Sequence, residues 1–395
     1  MAYVSRKSAV LYVTEEVTEG TAVDPTLGSQ AVGILADGFE MNPDKETVER
    51  SLLRSGIARQ IPRTGIKTSS CTAAVEAAAN GTAGEAPDYD LLMKSLLGGK
   101  RQITSQVTTK ATGNTASELQ IEDADIADFE VGDIVLILEA GAYHTSPVTA
   151  VDDTVGAANI TLLIAGGSAF SASVVIEKVT TYYGANTGHS SLTFTSYWED
   201  AIKKQSAGCK VSSMSLDTFE TGQLASFNFS LTGLTFTQTL ASSGLTPSFS
   251  NAEPPVILEA CVYVDGAQLP VNSLSLTIDN TNGRVTATCN ANGVIAQRAT
   301  ERAVSGSMTP YLDTTSVDLF DKFDGNTEFP IFLRAWNPTG TTGEKKEAFG
   351  IFIPKSIITA LPEQDADGVM QYSLEFQSGE DSSGTYPSDI YISFS

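Results

Sequence analysis

At 395 residues the chain has the length for two or three domains, each able to bury a core of its own. Its 24 Lys and Arg against 47 Asp and Glu give a net charge of −23, and a surface of that sign repels phosphate, which disfavours groove-reading of nucleic acid. Only 18% of residues are charged, so the polar balance falls to Ser, Thr, Asn and Gly, as in many-stranded proteins.

The opening stretch MAYVSRKSAVLYV has no apolar segment long enough for a signal peptide, and no run of ~18 apolar residues occurs anywhere to predict a membrane helix. Residues 1–30 read as an arm, with a short strand over 9–13 followed by the turn-rich EEVTEGTAVDPTLG. Residues 33–41 predict a strand with Leu35, Phe39 and Met41 apolar. Residues 42–65 are polar and irregular and hold Arg50, Arg54, Arg59 and Arg63; ordered loops of that length usually contact something. A strand over 67–75 precedes a short helix around 88–97, with Pro87 just before it, where proline is tolerated, and Gly98-Gly99 ending it.

Residues 102–183 change character. The apolar run of Ile134, Val135, Leu136, Ile137 and Leu138 predicts a buried strand, and Val148, Val151, Ile160, Leu162 and Ile164 supply others at hairpin spacing. This segment reads as a small β domain inserted at an exposed loop of its host and standing on the outer surface. Beyond it, 192–198 (LTFTSYW) is a strand, and 209–217 with 223–232 forms a hairpin. There Ala225, Phe227, Phe229 and Leu231 alternate with Ser226, Asn228, Ser230 and Thr232, giving one apolar and one neutral polar face. A Ser/Pro-rich link over 239–255 leads to strands at 256–264 and 274–278, a second long excursion at 280–302 with Arg298 and Arg302, and then strand, amphipathic helix and strand over 304–336. Residues 369–377 close the pattern, with Met370, Tyr372, Leu374 and Phe376 alternating with Gln371, Ser373, Glu375 and Gln377.

The two halves echo one another. Cys71-Thr72 falls on Met308-Thr309 (308 − 71 = 237), the helix DLLMK at Asp90 on DLFDK at Asp318 (318 − 90 = 228), and Trp198 on Trp336 (336 − 198 = 138). The first two offsets nearly agree, and the fall to 138 corresponds to the inserted segment. The organisation expected is therefore all-β, a duplicated sandwich module with short flanking helices: 1–101 and 184–243 the first module, 102–183 the insert, and 244–395 the second module.

The residues offer little chemistry. His144 and His189 sit in loop-like sequence, and Cys71, Cys209, Cys261 and Cys289 are isolated, reading as small buried residues in a reducing compartment. No nucleophile elbow, phosphate loop, HExxH or dinucleotide fingerprint occurs, and GTTGEKKE at 340–347 has the wrong spacing to cradle phosphate. The acidic EQDADG at 363–368 resembles the front of a calcium loop, but its twelfth position is Leu374 instead of a bidentate Glu. The expectation is a non-enzyme with no cofactor and no metal.

Three features together resemble the major tail tube protein of long-tailed bacteriophages. They are the arm TEEVTEGTAVDP, the pattern LPVNSLSLTIDN followed by a long loop and RAVSGSMTPYLD with helix DLFDKF, and the final YSLEFQSG. The resemblance implies β-sandwich modules assembling into stacked rings, a tube in a virion tail put together in the host cytoplasm, with no membrane involved. It also implies a tape-measure protein, tail terminator and tail-tip proteins as partners, and double-stranded DNA passing through without specific binding. Single-module relatives use six subunits, so two modules per chain imply a trimer with pseudo-six-fold symmetry; a six-chain ring with one module of each pair facing outward is the alternative. On that reading Asp217, Glu220, Ser226, Asn228, Ser230, Asp279, Gln371, Ser373 and Glu375 line or border the channel, and Arg50, Arg54, Arg59, Arg63, Arg298 and Arg302 are candidates for ring-to-ring contacts. Two other classes stand beside it: a carbohydrate- or surface-binding β-sandwich adhesion protein, expected to show clustered exposed aromatics, and a hydrolase using two carboxylates.

Overall fold

The period-two stretches become strands, and nearly all of them join one sheet system. The computed structural model describes residues 5–52, 60–250, 252–258, 260–290, 292–312, 317–336, 348–366, 368–381 and 383–395. In chain order the elements are β1 (Ala9–Glu15), β2 (Ala31–Val32), β3 (Phe39–Val48), β4 (Arg63–Glu76), α1 (Asp90–Leu97) and β5 (Gly98–Ile103). Then come β6 (Val107–Thr108), β7 (Glu118–Gln120), β8 (Ile134–Glu139), β9 (Ala142–Asp152), β10 (Asn159–Leu162) and β11 (Val175–Ile176). They are followed by β12 (Val179–Gly184), β13 (Leu192–Trp198), β14 (Ile202–Glu220), β15 (Ser226–Gly233) and β16 (Thr235–Leu240). The rest are β17 (Cys261–Val264), β18 (Ala267–Leu269), β19 (Val271–Thr286), β20 (Val294–Pro310), α2 (Val317–Asp324), β21 (Phe329–Trp336), β22 (Ala348–Ala360), β23 (Glu363–Ala366), β24 (Val369–Tyr372), β25 (Leu374–Ser378) and β26 (Tyr391–Phe394). The GTTGEKKE stretch, Arg54 and Arg59 lie outside the described residues.

The two halves share one strand order. In the first it is β3-β4-β15-β14-β13-β1, and in the second β19-β20-β25-β22-β21-β17, every pair antiparallel. The helix falls at the same point of each, α1 after β4 and α2 after β20. Three β-bulges coincide as well. The slip between Val211 and Ser213 against β15 matches that between Ile358 and Ala360 against β25. The slip between Leu192 and Phe194 matches that between Phe329 and Ile331, and the slip between Lys45 and Thr47 matches that between Thr281 and Asn282. A bulge re-aims a strand at a fixed point, so three in common amount to a repeated backbone plan.

Aligning the bulges corrects the sequence pairing. Cys71 falls on Gly306, Ala73 on Met308, Leu231 on Phe376 and Cys209 on Ser356. Trp336 falls on Glu199, one place beyond Trp198, so the two tryptophans are not counterparts. Trp198 is partly buried against the main core, with the Lys204 ammonium 4.8 Å from its ring.

β14 and β22 are the long strands that turn each sheet over itself. The first part of β14 pairs with β13 and β16, and its second part with β15. β22 divides in the same way between β21 and β25. The apolar faces of both layers meet in a core where Phe227 packs on Phe349 at 5.7 Å and Phe394 packs on Tyr89 at 5.7 Å, both edge to face. The Tyr89 hydroxyl donates to the Ala78 carbonyl at 2.8 Å, which satisfies the one polar atom of that buried ring. β26 lies between β12 and β22 and so ties the two halves together.

The structure refines the expectations drawn from the sequence. The strand expected in the arm is present as β1, but it is not a free arm: it pairs along its whole length with β13 and buries Leu11, Tyr12 and Val13. Strand pairing extends into both excursions: β3 and β4 stay paired out to Val48 and Arg63, and β19 and β20 out to Thr286 and Val294. Both are ladders projecting past the core, where few apolar residues are buried and the apolar alternation that marks a strand is absent. In α1, Leu92, Met93 and Leu96 are buried at helical spacing, and Gly98 closes the helix at φ +82°, its N–H donating to the Lys94 carbonyl. In α2, read as an amphipathic helix, Leu319 is buried, whereas Phe320 and Phe323 face outward at 53% and 40% exposure. Glu363–Ala366, the front of the acidic segment, forms a strand, β23, paired with β24, and the Asp365 carboxylate accepts the Gly368 N–H at 2.7 Å.

Residues 107–176 form a separate six-stranded sheet, ordered β6-β11-β8-β9-β10-β7, around Leu119, Val135, Ile137, Val148, Ile160 and Ile176. Its flanking strands, β5 and β12, pair with each other, and β12 goes on to β26 in the main sheet. The small sheet packs through Ile134 and Ile164 on Tyr263, Phe332, Phe352 and Tyr391, the side chains that β17, β21, β22 and β26 turn away from the main core.

Candidate assembly edges and channel face

Alternation along β15 fixes the character of one broad face. Phe227, Phe229 and Leu231 are buried, while Ser226, Asn228 and Ser230 lie half-buried on the other side. The ladder carries this pattern across both halves, because β14 pairs with β19 and joins them. One row runs Ala74, Asn228, Ser215, Thr277, Ser305, Gln377, and its neighbour runs Thr72, Ser230, Ser213, Asp279. Hydroxyl pairs cross-link the same face: Ser275 Oγ lies 2.8 Å from Ser307 Oγ, and Ser273 Oγ 2.9 Å from Thr309 Oγ1. The result is an eight-stranded surface, β3-β4-β15-β14-β19-β20-β25-β22, with neutral hydroxyls and amides in its rows.

The structure brings most of the sequence-predicted channel residues onto this surface. Ser226, Asn228, Ser230, Asp279 and Glu375 all belong to it, with Asp279 and Glu375 exposed, and Glu220 is exposed where β14 ends opposite Ser273. Asp217 lies in β14 between Leu216 and Phe219, and only its backbone is described. Ser373 falls in the break between β24 and β25, its N–H bonded to the Pro362 carbonyl at 2.8 Å. Gln371 leaves the row. The break at Ser373 shifts the alternation by one, so that Gln371 is buried at 6% exposure and Met370 is exposed at 41%.

The arginines separate in the same way. Arg50, Arg63 and Arg298 are exposed on or beside the projecting hairpins. Arg302 is drawn into its own chain, where its Nε and Nη2 donate to the Asp389 carboxylate at 2.6–3.0 Å, and both side chains are only about 15% exposed. Such a bidentate pair is spent within the molecule.

Two open edges accompany the β14–β19 junction. Among the described residues β3 pairs with β4 alone, and residues 360–366 pair with β24 and β25 on one side only. By the aligned bulges, β3 is the counterpart of β19 and residues 360–366 the counterpart of the part of β14 that β19 covers. Each open edge carries a proline, Pro43 and Pro362, where the joined strands have Ile278 and Ser215. Edge proline is a common guard against indiscriminate pairing.

The junction is reinforced by a latch that the sequence did not reveal. Gln297, 2% exposed in the β19–β20 hairpin, reaches the first half and donates from Nε2 to the Gly208 and Thr232 carbonyls at 3.2 and 3.1 Å, while its Oε1 accepts from Thr232 Oγ1 at 2.6 Å. Its carbonyl accepts from Lys210, and its N–H donates to Glu19. Glu19 sits on the segment after β1, and Glu16 there accepts from Gly208 N, Ser191 Oγ and Thr193 Oγ1 at 2.6–2.8 Å. Asp24 on the same segment is held below the usual carboxylate range, chiefly by hydrogen bonding from Lys203 and then from Gln205. Only the pairing geometry shows that these polar residues converge; in sequence they are scattered over nearly 300 positions.

A chain with one uncovered polar sheet face, two open edges and an internal copy of the contact that would join them has the layout of a self-assembling wall. Comparison with protein families gives a match over residues 5–378 to the phage tail tube protein model. The chain belongs to the phage tail tube protein family. Its fold is the all-β one of a tail tube protein, its role is structural, and its place is the virion tail, where tail tube proteins assemble with themselves into the tube. No curated protein matches it. Among the described residues no group of three or more His, Cys, Asp or Glu is placed to hold a metal ion. No helix among them is long and apolar enough to cross a membrane.

Proposed function

We propose that three copies of this chain close into a ring with pseudo-six-fold symmetry, that the rings stack into the tail tube, and that the genome leaves through the lumen. The observation carrying this reading is the β14–β19 junction, a module-to-module contact already made once inside the chain, together with the two edges left open. Repeating that contact between copies sets Asp44 opposite Ala360 and Met41 opposite Glu363, where the chain itself sets Asp279 opposite Ser213 and Leu276 opposite Leu216. The two edge prolines remove N–H donors from this contact, so it is weaker than the internal one and forms between complete subunits.

Closure also sets the size. Eight strands per chain and three chains make a barrel of 24 strands; at ~4.8 Å spacing and ~40° tilt its backbone radius is about 24 Å. Closing the barrel removes the open edges, and a head-to-tail contact repeated by rotation ends at a fixed copy number. The lumen face is then the hydroxyl and amide surface, bordered by Glu220, Asp279 and Glu375. Neutral and acidic groups keep phosphate off the wall, which suits passage without recognition. The tape-measure protein would occupy the same lumen before the genome, with terminator and tail-tip proteins at the two ends of the stack. Arg50, Arg63 and Arg298 are the exposed arginines, among the described candidates, available to an adjoining ring, and Arg302, paired with Asp389, is not.

End-on electron microscopy of the purified protein tests this. Three-fold rings with two similar but distinct wall units per chain support it. True six-fold rings overturn the copy number, and a monodisperse monomer that stays so with tape-measure and tail-tip proteins overturns the assembly.

A further inference from the structure

The Gln297 latch has an empty counterpart. The aligned bulges place Gly208, Lys210 and Thr232, which hold Gln297, on Lys355, Ile357 and Gln377 of the second half. Those three residues line a cleft of about 160 Å³, walled also by Glu328, Ser378 and Glu380. The same alignment carries Ala296, Gln297 and Arg298 of the β19–β20 hairpin onto Ile61, Pro62 and Arg63 of the β3–β4 hairpin. The junction between the two halves thus holds both parts of the contact, filled, while the two ends of the eight-stranded order hold the same two parts separated. β3 and β22 are the first and last strands of the eight-stranded order, so a single chain does not bring its own hairpin to its own cleft.

We infer that the corner at Ile61 and Pro62 of one copy seats in the cleft between Lys355, Ile357 and Gln377 of the next copy. The inference rests on the ring reading above and adds to it a particular contact between hairpin and cleft. The chemistry of the two parts has changed together. In the filled seat, the Lys210 ammonium and two carbonyls grip a glutamine. In the open cleft Ile357 replaces Lys210, and the Lys355 carbonyl, counterpart of the Gly208 carbonyl, already accepts from Ser378 Oγ at 2.9 Å. The residue arriving is Pro62, which has no N–H to satisfy, beside Ile61, which is 85% exposed in the isolated chain. Charge agrees as well. Residues 42–67 carry six Lys and Arg against three Asp and Glu, while the cleft presents Glu328 and Glu380 with one lysine, Lys355, itself 3.3 Å from Glu328. Complementary sign of this kind selects and steers the partner.

The test uses the full chain with Cys289, the exposed cysteine, changed to Ser. Wild-type protein is first imaged for rings; if no rings form under any condition, the tube reading fails before this one is reached. Where rings form, Pro62→Cys and Gln377→Cys are combined and the rings oxidised. The expected result is loss of the monomer band on a non-reducing gel in favour of covalent dimers and trimers, reversed by reductant. Intact rings with no cross-link, or a disulfide confined within one chain, overturn the inference. Should the cysteine pair itself prevent assembly, Pro62→Cys alone is labelled with benzophenone and photolysed in rings mixed with isotopically heavy wild-type copies. Adducts on residues 355–357 or 377–380 of the heavy copy support the contact; adducts elsewhere overturn it.

Discussion

Glu16 lies 8% exposed after β1, and its carboxylate accepts from two hydroxyls and from the backbone N–H groups of Gly20 and Gly208. Burial of a charge is tolerable there because every lone pair faces a donor. Glu16→Ala leaves those donors without their acceptor, and a loss of about 1–3 kcal/mol is expected in urea unfolding of the unassembled chain. Arg302 gives a sharper case. Arg302→Ala abandons the Asp389 carboxylate in a largely buried site and should cost about 3–5 kcal/mol. Arg298→Ala, at an exposed position, should leave the unfolding midpoint within error. A stability loss from Arg302→Ala no larger than from Arg298→Ala would refute the assignment of Arg302 to an internal role. Sequence alone grouped these two arginines, since both lie in one polar stretch; burial is what separates them.

At the level of strands and hairpins, the duplication was legible because alternation and the helix motif survive in both halves. Its register was not. A slip of two residues leaves every apolar side chain on the same face, so Cys71 could be set on Met308 when it belongs on Gly306, with no penalty in the pattern. Bulges carry no residue signature, and they move Trp336 off Trp198 by one. The projecting hairpins escaped notice for the opposite reason: they are mostly exposed, and polar residues such as Asn280 and Gln297 fill buried positions, so they carry no apolar pattern to read. The corrected register explains a pair of differences. Where the first half packs Cys71 against Leu231, the second packs Gly306 against the larger Phe376. A Cβ on Gly306 would lie 2.4 Å from the Ser275 carbonyl oxygen and 2.5 Å from the Phe376 ring. Gly306→Ala is therefore expected to destabilise by about 1–3 kcal/mol, and pairing it with Phe376→Leu should recover part of the loss, as a double-mutant cycle would read.

For the whole molecule the governing quantity is the charge of −23 and where it faces. Particles carrying Asp279→Lys with Glu375→Lys should eject DNA more slowly than wild type, with the difference shrinking as salt is raised, because the added attraction to phosphate is screened. Ejection at the wild-type rate in low salt would count against these residues facing the lumen. The placement of this surface was readable from the alternation of Ser226, Asn228 and Ser230 with Phe227, Phe229 and Leu231. Its continuity across both halves was not, because it depends on β14 meeting β19, a contact between segments about 60 residues apart that no local pattern encodes.

The position of β26 has a consequence for how the chain comes off the ribosome. This strand lies between β12 and β22, and it is synthesised on the order of 200 residues after β12, at the slow end of long-range pairing. Until it emerges, β12 has one vacant side, the Tyr89 and Phe227 cluster lacks the Phe394 ring, and β22 lacks its partner along residues 349–352. A nascent chain is in that interval a sticky, incomplete species, open to chaperones and to other nascent chains. Once β26 pairs, it bridges β12 to β22 and seats the Phe394 ring against Tyr89 and Phe227. Synthesis order thus sets when the core shared by the two halves closes, after both of the strands that β26 joins have been made.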